Sequence, residues 1–112
     1  MADPAKTNYK LFLAKVGYLE SPKLKIRPVI ILTKPKGSYN IMMAVPISSK
    51  SRLEEVDVRL KDWQSSRLEK PSVALVHRLS AIVGQRVLEE VGQLSDTDNA
   101  AIQQAVRQLF SL

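Results

Sequence analysis

The chain contains no cysteine and a single histidine. Without thiols it can form neither a disulfide framework nor a thiolate metal site, and one imidazole cannot build a His/Cys zinc cluster. Its four glycines form neither a Walker loop nor a dinucleotide fingerprint. No apolar run approaches the roughly 20 residues of a membrane-spanning helix, and the first ten residues lack the apolar core of a secretion signal. These absences argue against a membrane span, a nucleotide cofactor and a metal site, and we expect no membrane association, no cofactor and no metal. A cytoplasmic location, which we also expect, is compatible with the absence of cysteine but is not demanded by it.

Positive charge is concentrated in the N-terminal third of the chain. Residues 1–40 carry eight Lys/Arg against two Asp/Glu, whereas residues 81–112 carry two against four, and the net charge of the 112 residues is +6. Such a field attracts polyanions over a long range, so RNA or an acidic peptide would suit it as a partner. A basic surface that serves solubility alone explains the same charge equally well.

Apolar periodicity predicts several short strands followed by one helix. Strands are predicted over residues 9–16, 28–33, 39–47 and 55–60, with one or two more strands over 72–83 and a turn and strand over 84–92. The segments 28–33 and 39–47 flank a Gly-containing turn and are expected to form a hairpin.

The last segment has the pattern of an amphipathic helix. Ser95 is a good N-cap, Asp96 and Asp98 complement the helix N-terminus, and apolar residues then recur at helical spacing. The apolar positions are Ile102, Ala105, Val106, Leu109 and Phe110. The expected fold class is mainly β, a strongly bent antiparallel sheet or barrel covered on one side by a C-terminal helix, as one domain over residues 1–112.

The acidic residues do not suggest a metal-dependent enzyme. Glu54, Glu55 and Asp57 lie on or beside the predicted half-exposed strand 55–60 and are interpreted as solvated side chains. The basic and hydroxyl side chains that remain permit chemistry on a substrate that brings its own nucleophile. RNA is such a substrate because its 2′-OH can attack the adjacent phosphate. An arginine fork would stabilise the charge that develops on the phosphorus oxygens.

Arg27 and Pro28 stand directly before the apolar run Val29–Leu32. One interpretation is that Pro28 opens a strand and that Arg27 is a solvated boundary residue. The alternative is that proline restricts the backbone of the preceding residue and thereby holds Arg27 at the rim of a site.

Two motifs in this order resemble the MazF/PemK (Kid-like) family of toxin ribonucleases. They are "RPVIIL" over residues 27–32 and "VPISS" over 45–49. The later "LEKPSVALVHRLSAIV" and "VGQLSDTDNAAIQQAVRQLF" are similar to the Leu-x-x-x-Ser-x-Val segment and the closing helix of that family. The resemblance extends from about Tyr9 to Leu112.

The resemblance implies a small SH3-like barrel with a C-terminal helix, assembled as a homodimer. It also implies metal-independent cleavage of single-stranded RNA at short sequences, and neutralisation by an antitoxin with an acidic tail. Carried over residue by residue, it places Arg27 and Ser48 at the scissile phosphate. We expect further RNA contacts from Lys23, Lys25, Ser49, Lys50 and Arg52.

The chain lacks the Gly-(Asp/Glu)-Ile/Val opening that the family has before its first strand and has "TNYKLFLAKV" instead. It departs from the family pattern at three further positions. Ser48 replaces a threonine, which keeps the hydroxyl but loses the methyl that fixes its rotamer. Leu75 and His77 occupy the places of a catalytic arginine and aspartate. His77 can act as general acid or base, or can cap the end of a strand without a catalytic role.

These departures leave three functions open. The first is a sequence-specific endoribonuclease with Arg27, Ser48 and His77 in its site. The second is a degenerate member that binds RNA or an antitoxin peptide without cutting. The third is a toxin that acts on a protein such as gyrase.

Overall fold

The computed structural model describes residues 7–17 and 23–111. Within these residues seven strands and one α-helix follow one another in the chain. They are β1 (Lys10–Val16), β2 (Lys25–Ile31), β3 (Met42–Ser48), β4 (Val58–Arg59), β5 (Val73–Ala74), β6 (Ser80–Ile82), β7 (Val87–Gln93) and α1 (Asp96–Leu109). Short 3₁₀ turns cover Val76–Arg78 and Gly84–Arg86. None of the helices in this part of the chain is long and apolar enough to cross a membrane.

The strands form one antiparallel sheet in the order β4-β5-β3-β2-β1-β7, with β6 paired to β3 off this path. The predicted β2–β3 hairpin and the mainly β fold with a C-terminal helix are therefore confirmed. Among the described strands the path is open, with β4 and β7 at its ends, so the sheet does not close into the barrel that was expected.

Both faces of the central strands are buried, which explains their nearly continuous apolar sequences. The first core lies on the face covered by α1 and includes Leu11, Ile30, Val45, Ile47 and Ile102. The second core lies on the opposite face and consists of Ala14, Val29, Met42, Ala44 and Ile82. Neighbouring residues of one strand alternate between the two cores, as the period of a β-strand requires.

β2 begins earlier than predicted, so Arg27 and Pro28 lie inside the strand rather than at its mouth. Its pairing with β1 runs without interruption from Lys25↔Val16 to Ile31↔Lys10. The predicted strands 9–16 and 28–33 are joined by a segment that includes residues 18–22, and these five residues lie outside the described residues.

The ladder between β2 and β3 is much shorter and ends at the pair Val29↔Pro46. Pro28 and Pro46 stand at this end, and neither has an N–H to donate to a continuing ladder. Beyond this pair β3 no longer pairs with β2 but pairs with β5, and the first pair is Ile47↔Ala74. The two prolines therefore mark the point at which β2 and β3 part.

Two predicted strands are shorter in the structure because turns interrupt them. The strand expected over 55–60 is reduced to Val58–Arg59, since the N–H of Asp57 donates to the carbonyl of Glu54 at 2.9 Å and closes a turn. The segment 72–83 is divided into β5 and β6 by the 3₁₀ turn, in which the N–H of Arg78 donates to the carbonyl of Leu75 at 2.9 Å.

Helix α1 begins as predicted and ends one residue early. The hydroxyl of Ser95 accepts a hydrogen bond from the N–H of Asp98 at 3.2 Å, which confirms the N-cap. Ile102 and Ala105 are buried in the first core. Phe110, predicted on the same apolar face, is the C-cap instead and is 66% exposed.

Asp98 joins the start of α1 to the loop after β4. Its carboxylate is buried and accepts hydrogen bonds from the N–H groups of Lys61 at 2.9 Å and Asp62 at 2.8 Å. Because a buried N–H without a partner is costly, these bonds fix where the helix docks on the sheet.

We expect Asp98→Asn to lower the free energy of unfolding by about 1–3 kcal/mol more than Asp96→Asn, because the amide turns a donor toward one of the two N–H groups. Asp96 is the matched control: it is exposed, and its replacement removes the same charge from the same helical turn. Urea denaturation of both variants measures the difference, and equal losses would contradict this role for Asp98.

Candidate functional site

A cleft of about 380 Å³ lies where β2 and β3 part. Pro28 of β2 and Ile47 of β3 belong to its apolar wall. Its polar and charged lining consists of Arg27, Arg67 and Lys70 with Ser49, Ser72 and Glu69. We call it the Arg27 cleft; three cations against one carboxylate make its lining suitable for an anion.

Arg27 is half-buried and held in position by the pairing of β2 with β1. Its partner across that ladder is Ala14 of the second core, and the next residue, Pro28, is paired with Leu13. Proline also restricts the backbone of the residue before it to extended conformations. The backbone of Arg27 is therefore fixed by the strand, which favours the interpretation that it is a rigid rim residue.

Positive charge surrounds this end of the sheet. Antiparallel pairing brings the start of β2 and the end of β3 together, and no acidic residue occurs between Lys23 and Arg52. The predicted RNA-binding residues Lys23, Lys25, Ser49, Lys50 and Arg52 are all exposed. Only Ser49 among them lines the Arg27 cleft.

Ser48 is buried, with 6% of its surface exposed, and its hydroxyl organises the turn that follows β3. The oxygen accepts the N–H groups of Lys50 and Ser51, each at 3.1 Å, and lies 2.9 Å from the hydroxyl oxygen of Ser51. Both lone pairs of the Ser48 oxygen are thus occupied by the backbone. The residue predicted to meet the phosphate therefore supports the turn that carries Ser49 and Lys50.

A second cleft, of about 500 Å³, lies on the face of the second core. Val29, Ala44 and Pro46 belong to its apolar wall. Its charged and titratable residues are His77, Lys15, Arg78 and Arg86. We call it the His77 cleft; its three cations also suit an anionic ligand.

The structure does not bring the three predicted catalytic residues into one cleft. Arg27 lines the first cleft, His77 lines the second, and Ser48 is part of neither lining. Adjacent residues of β3 separate the two spaces, because Pro46 faces one and Ile47 the other.

Asp57, which the sequence suggested to be solvated, is instead the partner of His77. Its side chain has no exposed surface, and Oδ1 lies 2.7 Å from Nδ1 of the imidazole. His77 belongs to the 3₁₀ turn rather than to the end of a strand. Nothing in the local pattern around Asp57 points to a residue 20 positions further along the chain.

Backbone strain occurs directly before Asp57. Val56 has φ of 58°, a left-handed conformation that β-branched residues rarely adopt and that costs on the order of 1–3 kcal/mol. Strain of this kind persists only where surrounding contacts enforce it, and here the turn presents the Asp57 carboxylate to His77.

Leu75 lies in the protein interior. It is 1% exposed, and its N–H donates to the carbonyl of Pro46 at 2.9 Å. A charged side chain at this position would be buried without solvent, so the aliphatic residue is explained by its environment. Across residues 7–17 and 23–111, His, Asp and Glu side chains nowhere gather in threes to form a metal site.

A family model described as "PemK-like, MazF-like toxin of type II toxin-antitoxin system" matches residues 9–110. The chain belongs to this family. A search of curated proteins finds no match to it.

Solved structures of the same fold are numerous. The Mycobacterium tuberculosis toxin MazF-mt6 is 22% identical with a TM-score of 0.72, covering 92% of this chain and 97% of that one. A mycobacterial endoribonuclease in complex with its cognate antitoxin is 14% identical with a TM-score of 0.70, covering 96% and 97%. MazE–MazF (Form-II) from Deinococcus radiodurans is 17% identical with a TM-score of 0.64, covering 95% and 94%. Identities this low establish the common fold only.

Replacing Leu75 by arginine is expected to destabilise the protein by about 4 kcal/mol or more, because it forces a charge into the interior. Leu88→Arg is the control, since Leu88 is 46% exposed on β7 and should change stability by no more than about 0.5 kcal/mol. Thermal unfolding followed by circular dichroism compares them. A well-folded Leu75→Arg protein would show that position 75 is accessible after all.

Ser48→Ala should cost about 1–3 kcal/mol of unfolding free energy, since two backbone N–H groups lose their acceptor. Ser49→Ala, at an exposed position, should leave stability unchanged. Urea denaturation distinguishes the two variants. If Ser48→Ala is as stable as the parent protein, the hydroxyl does not hold the turn.

Proposed function

We infer that this family member is a metal-independent endoribonuclease that cleaves single-stranded RNA by attack of a 2′-OH on the adjacent phosphate. The observation that carries the proposal is the Arg27 cleft, in which three cations line a space at the parting of two strands. Family membership supports it, as do structural neighbours that are described as endoribonucleases.

In this proposal Arg27 binds the scissile phosphate. A guanidinium forms two parallel hydrogen bonds to phosphate oxygens and remains charged throughout the reaction. Negative charge on those oxygens increases as the 2′ oxygen attacks, so a fixed cation stabilises the transition state more than the ground state. Arg67 and Lys70 on the opposite wall add attraction for the same phosphate or its neighbour.

The hydroxyl that meets the phosphate is assigned to Ser49 rather than to Ser48. Ser49 is exposed and lines the Arg27 cleft, whereas the oxygen of Ser48 already accepts two backbone hydrogen bonds. Ser48 contributes by holding the turn in which Ser49 and Lys50 lie.

RNA is proposed to approach along the basic end of the β2–β3 pair. Lys23, Lys25, Lys50 and Arg52 lie there, exposed and without an acidic residue between them in the sequence. Phosphate contacts of this type position the strand and make binding strongly dependent on salt, while base contacts determine the cleavage sequence.

The proposed regulator is an antitoxin protein with an acidic segment, and the proposed assembly is a homodimer. Two structural neighbours were solved as toxin–antitoxin pairs, one with its cognate antitoxin and one as MazE–MazF. A net charge of +6 attracts an acidic peptide to the surface that attracts RNA, so the two ligands would compete.

Arg27→Ala is expected to reduce the rate of RNA cleavage at least 10²-fold, roughly the cost of losing one preorganised charge donor. The assay uses the full chain, single-stranded RNA and a chelator, with products resolved on a denaturing gel. Arg27→Lys keeps the charge without the fork and should recover only part of the rate.

Lys34→Ala is the matched control, because Lys34 is an exposed cation in the turn after β2, at the far end of that strand. Its removal should leave cleavage nearly unchanged, and circular dichroism should show both variants folded. Full activity of Arg27→Ala would remove Arg27 from the mechanism.

Leu75 supports a second candidate function, a protein that binds RNA or an antitoxin peptide without cutting. Its burial means that no cation at this position can reach a phosphate. Salt-dependent binding of RNA that remains intact after long incubation with the parent protein would select this function over the first.

A further inference from the structure

The imidazole of His77 is held by a carboxylate that belongs to a separate turn. Oδ1 of Asp57 lies 2.7 Å from Nδ1 of His77 and also accepts the backbone N–H of His77 at 3.2 Å. The other oxygen of Asp57 accepts the N–H of Glu54 at 3.1 Å. Each oxygen of the buried carboxylate thus has a partner, and one of them is the ring.

This arrangement determines which ring nitrogen carries the proton. An ionised carboxylate only accepts hydrogen bonds, so Nδ1 must be the donor in the neutral imidazole. The lone pair then resides on Nε2, the nitrogen that the carboxylate does not contact. Aspartates oriented in this way fix the tautomer of histidines that transfer protons or bind metals.

The environment of His77 suits a reaction at phosphate. The side chain is 32% exposed and lines the His77 cleft together with the cations Lys15, Arg78 and Arg86. Pro46, at the end of the β2–β3 ladder, lines the same cleft, so the His77 cleft extends to the point where β2 and β3 part.

The pairing of Arg27 in the sheet relates it to the face on which the second core and the His77 cleft lie. Its partner across the β1–β2 ladder, Ala14, belongs to the second core, as does Val29 of the His77 cleft. Directly paired residues project to the same side of a sheet, so the Cα–Cβ bond of Arg27 points to the face that carries His77. Arg27 also lines the Arg27 cleft, because it lies beyond the last β2–β3 pair, where the two strands part.

We propose that Asp57 is a positioning residue that holds His77 as the proton acceptor of the RNA cleavage reaction. Nε2 takes the proton of the 2′-OH while the 2′ oxygen bonds to phosphorus and the bond from phosphorus to the 5′ oxygen breaks. The departing 5′ oxygen takes a proton from water, and the proton later released by His77 neutralises the hydroxide left behind. The products are a 2′,3′-cyclic phosphate and a 5′-OH. The catalytic part of this inference rests on the proposed function, whereas the orientation of the ring does not.

The ring orientation can be tested by ¹⁵N NMR of protein labelled at histidine, because His77 is the only histidine of the chain. At a pH where the imidazole is neutral, the ¹⁵N shifts distinguish a protonated ring nitrogen from an unprotonated one. We expect the Nδ1–H tautomer in the parent protein and the appearance of the Nε2–H tautomer in Asp57→Ala. An Nε2–H tautomer in the parent, or an unchanged distribution in Asp57→Ala, would overturn the proposal.

Kinetics test the role of this orientation in catalysis. His77→Gln and Asp57→Asn should each lower kcat by about 10²-fold or more, the usual contribution of a general base, with KM for RNA nearly unchanged. The double variant should be no slower than His77→Gln alone, because both changes disable one unit. If the decrease in kcat of the double variant equals the product of the two single decreases, Asp57 does not act through His77.

Glu55→Gln is the matched control, since Glu55 is an exposed acid in the same turn and should retain full kcat. If Asp57→Asn fails to fold, the tautomer of the parent protein and the kcat of His77→Gln still decide the question. If the parent protein cleaves no RNA, the proposed function fails, while the NMR measurement separately accepts or rejects the Asp57–His77 pair.

Discussion

The end of the ladder between β2 and β3 is the constraint on which the site depends. Pro28 and Pro46 stand at this point without N–H groups, and the last pair is Val29↔Pro46. β2 continues along β1, while β3 continues along β5. The separation of the strands leaves a cleft between them and keeps Arg27 at its wall on a strand that is still fully paired on its other edge. An arginine in a flexible loop would lose more conformational entropy on binding a phosphate than one held in this way.

The same central strand places the second group of residues. β3 pairs with β5 and β6 on its other edge, and the 3₁₀ turn between those two short strands carries His77. One strand thus separates a cleft lined by Arg27 from a cleft lined by His77. The family positions at which an arginine and an aspartate were expected hold a core leucine and this histidine. A carboxylate contributed by another turn, Asp57, now accompanies the titratable group. The chain therefore keeps the fold but carries other side chains at these positions than the family pattern has.

Local signals in the sequence predicted much of this structure. The strands β1, β2 and β3 were found from apolar runs and the helix from its N-cap and period. The proline after Arg27 drew attention to this arginine as a candidate site residue, which stays a prediction. Three features escaped prediction: two depend on contacts between distant residues, and the third depends on hydrogen bonds within a turn. The length of β2 is determined by β1, the burial of Ser48 by the turn around it, and the role of Asp57 by a residue 20 positions away. Alternation placed Asp57 on a solvent face, whereas a strained turn at Val56 directs it inward.

The central claim is that RNA supplies its own nucleophile to a site at the parting of these strands. The most direct test uses one oligonucleotide that the protein cleaves, compared with the same oligonucleotide carrying a single 2′-O-methyl group on the nucleotide 5′ to the cleaved bond. The account predicts a 2′,3′-cyclic phosphate and a 5′-OH from the unmodified RNA by mass spectrometry, and no cleavage of that bond in the modified RNA. Cleavage of the modified RNA at the same bond would contradict it.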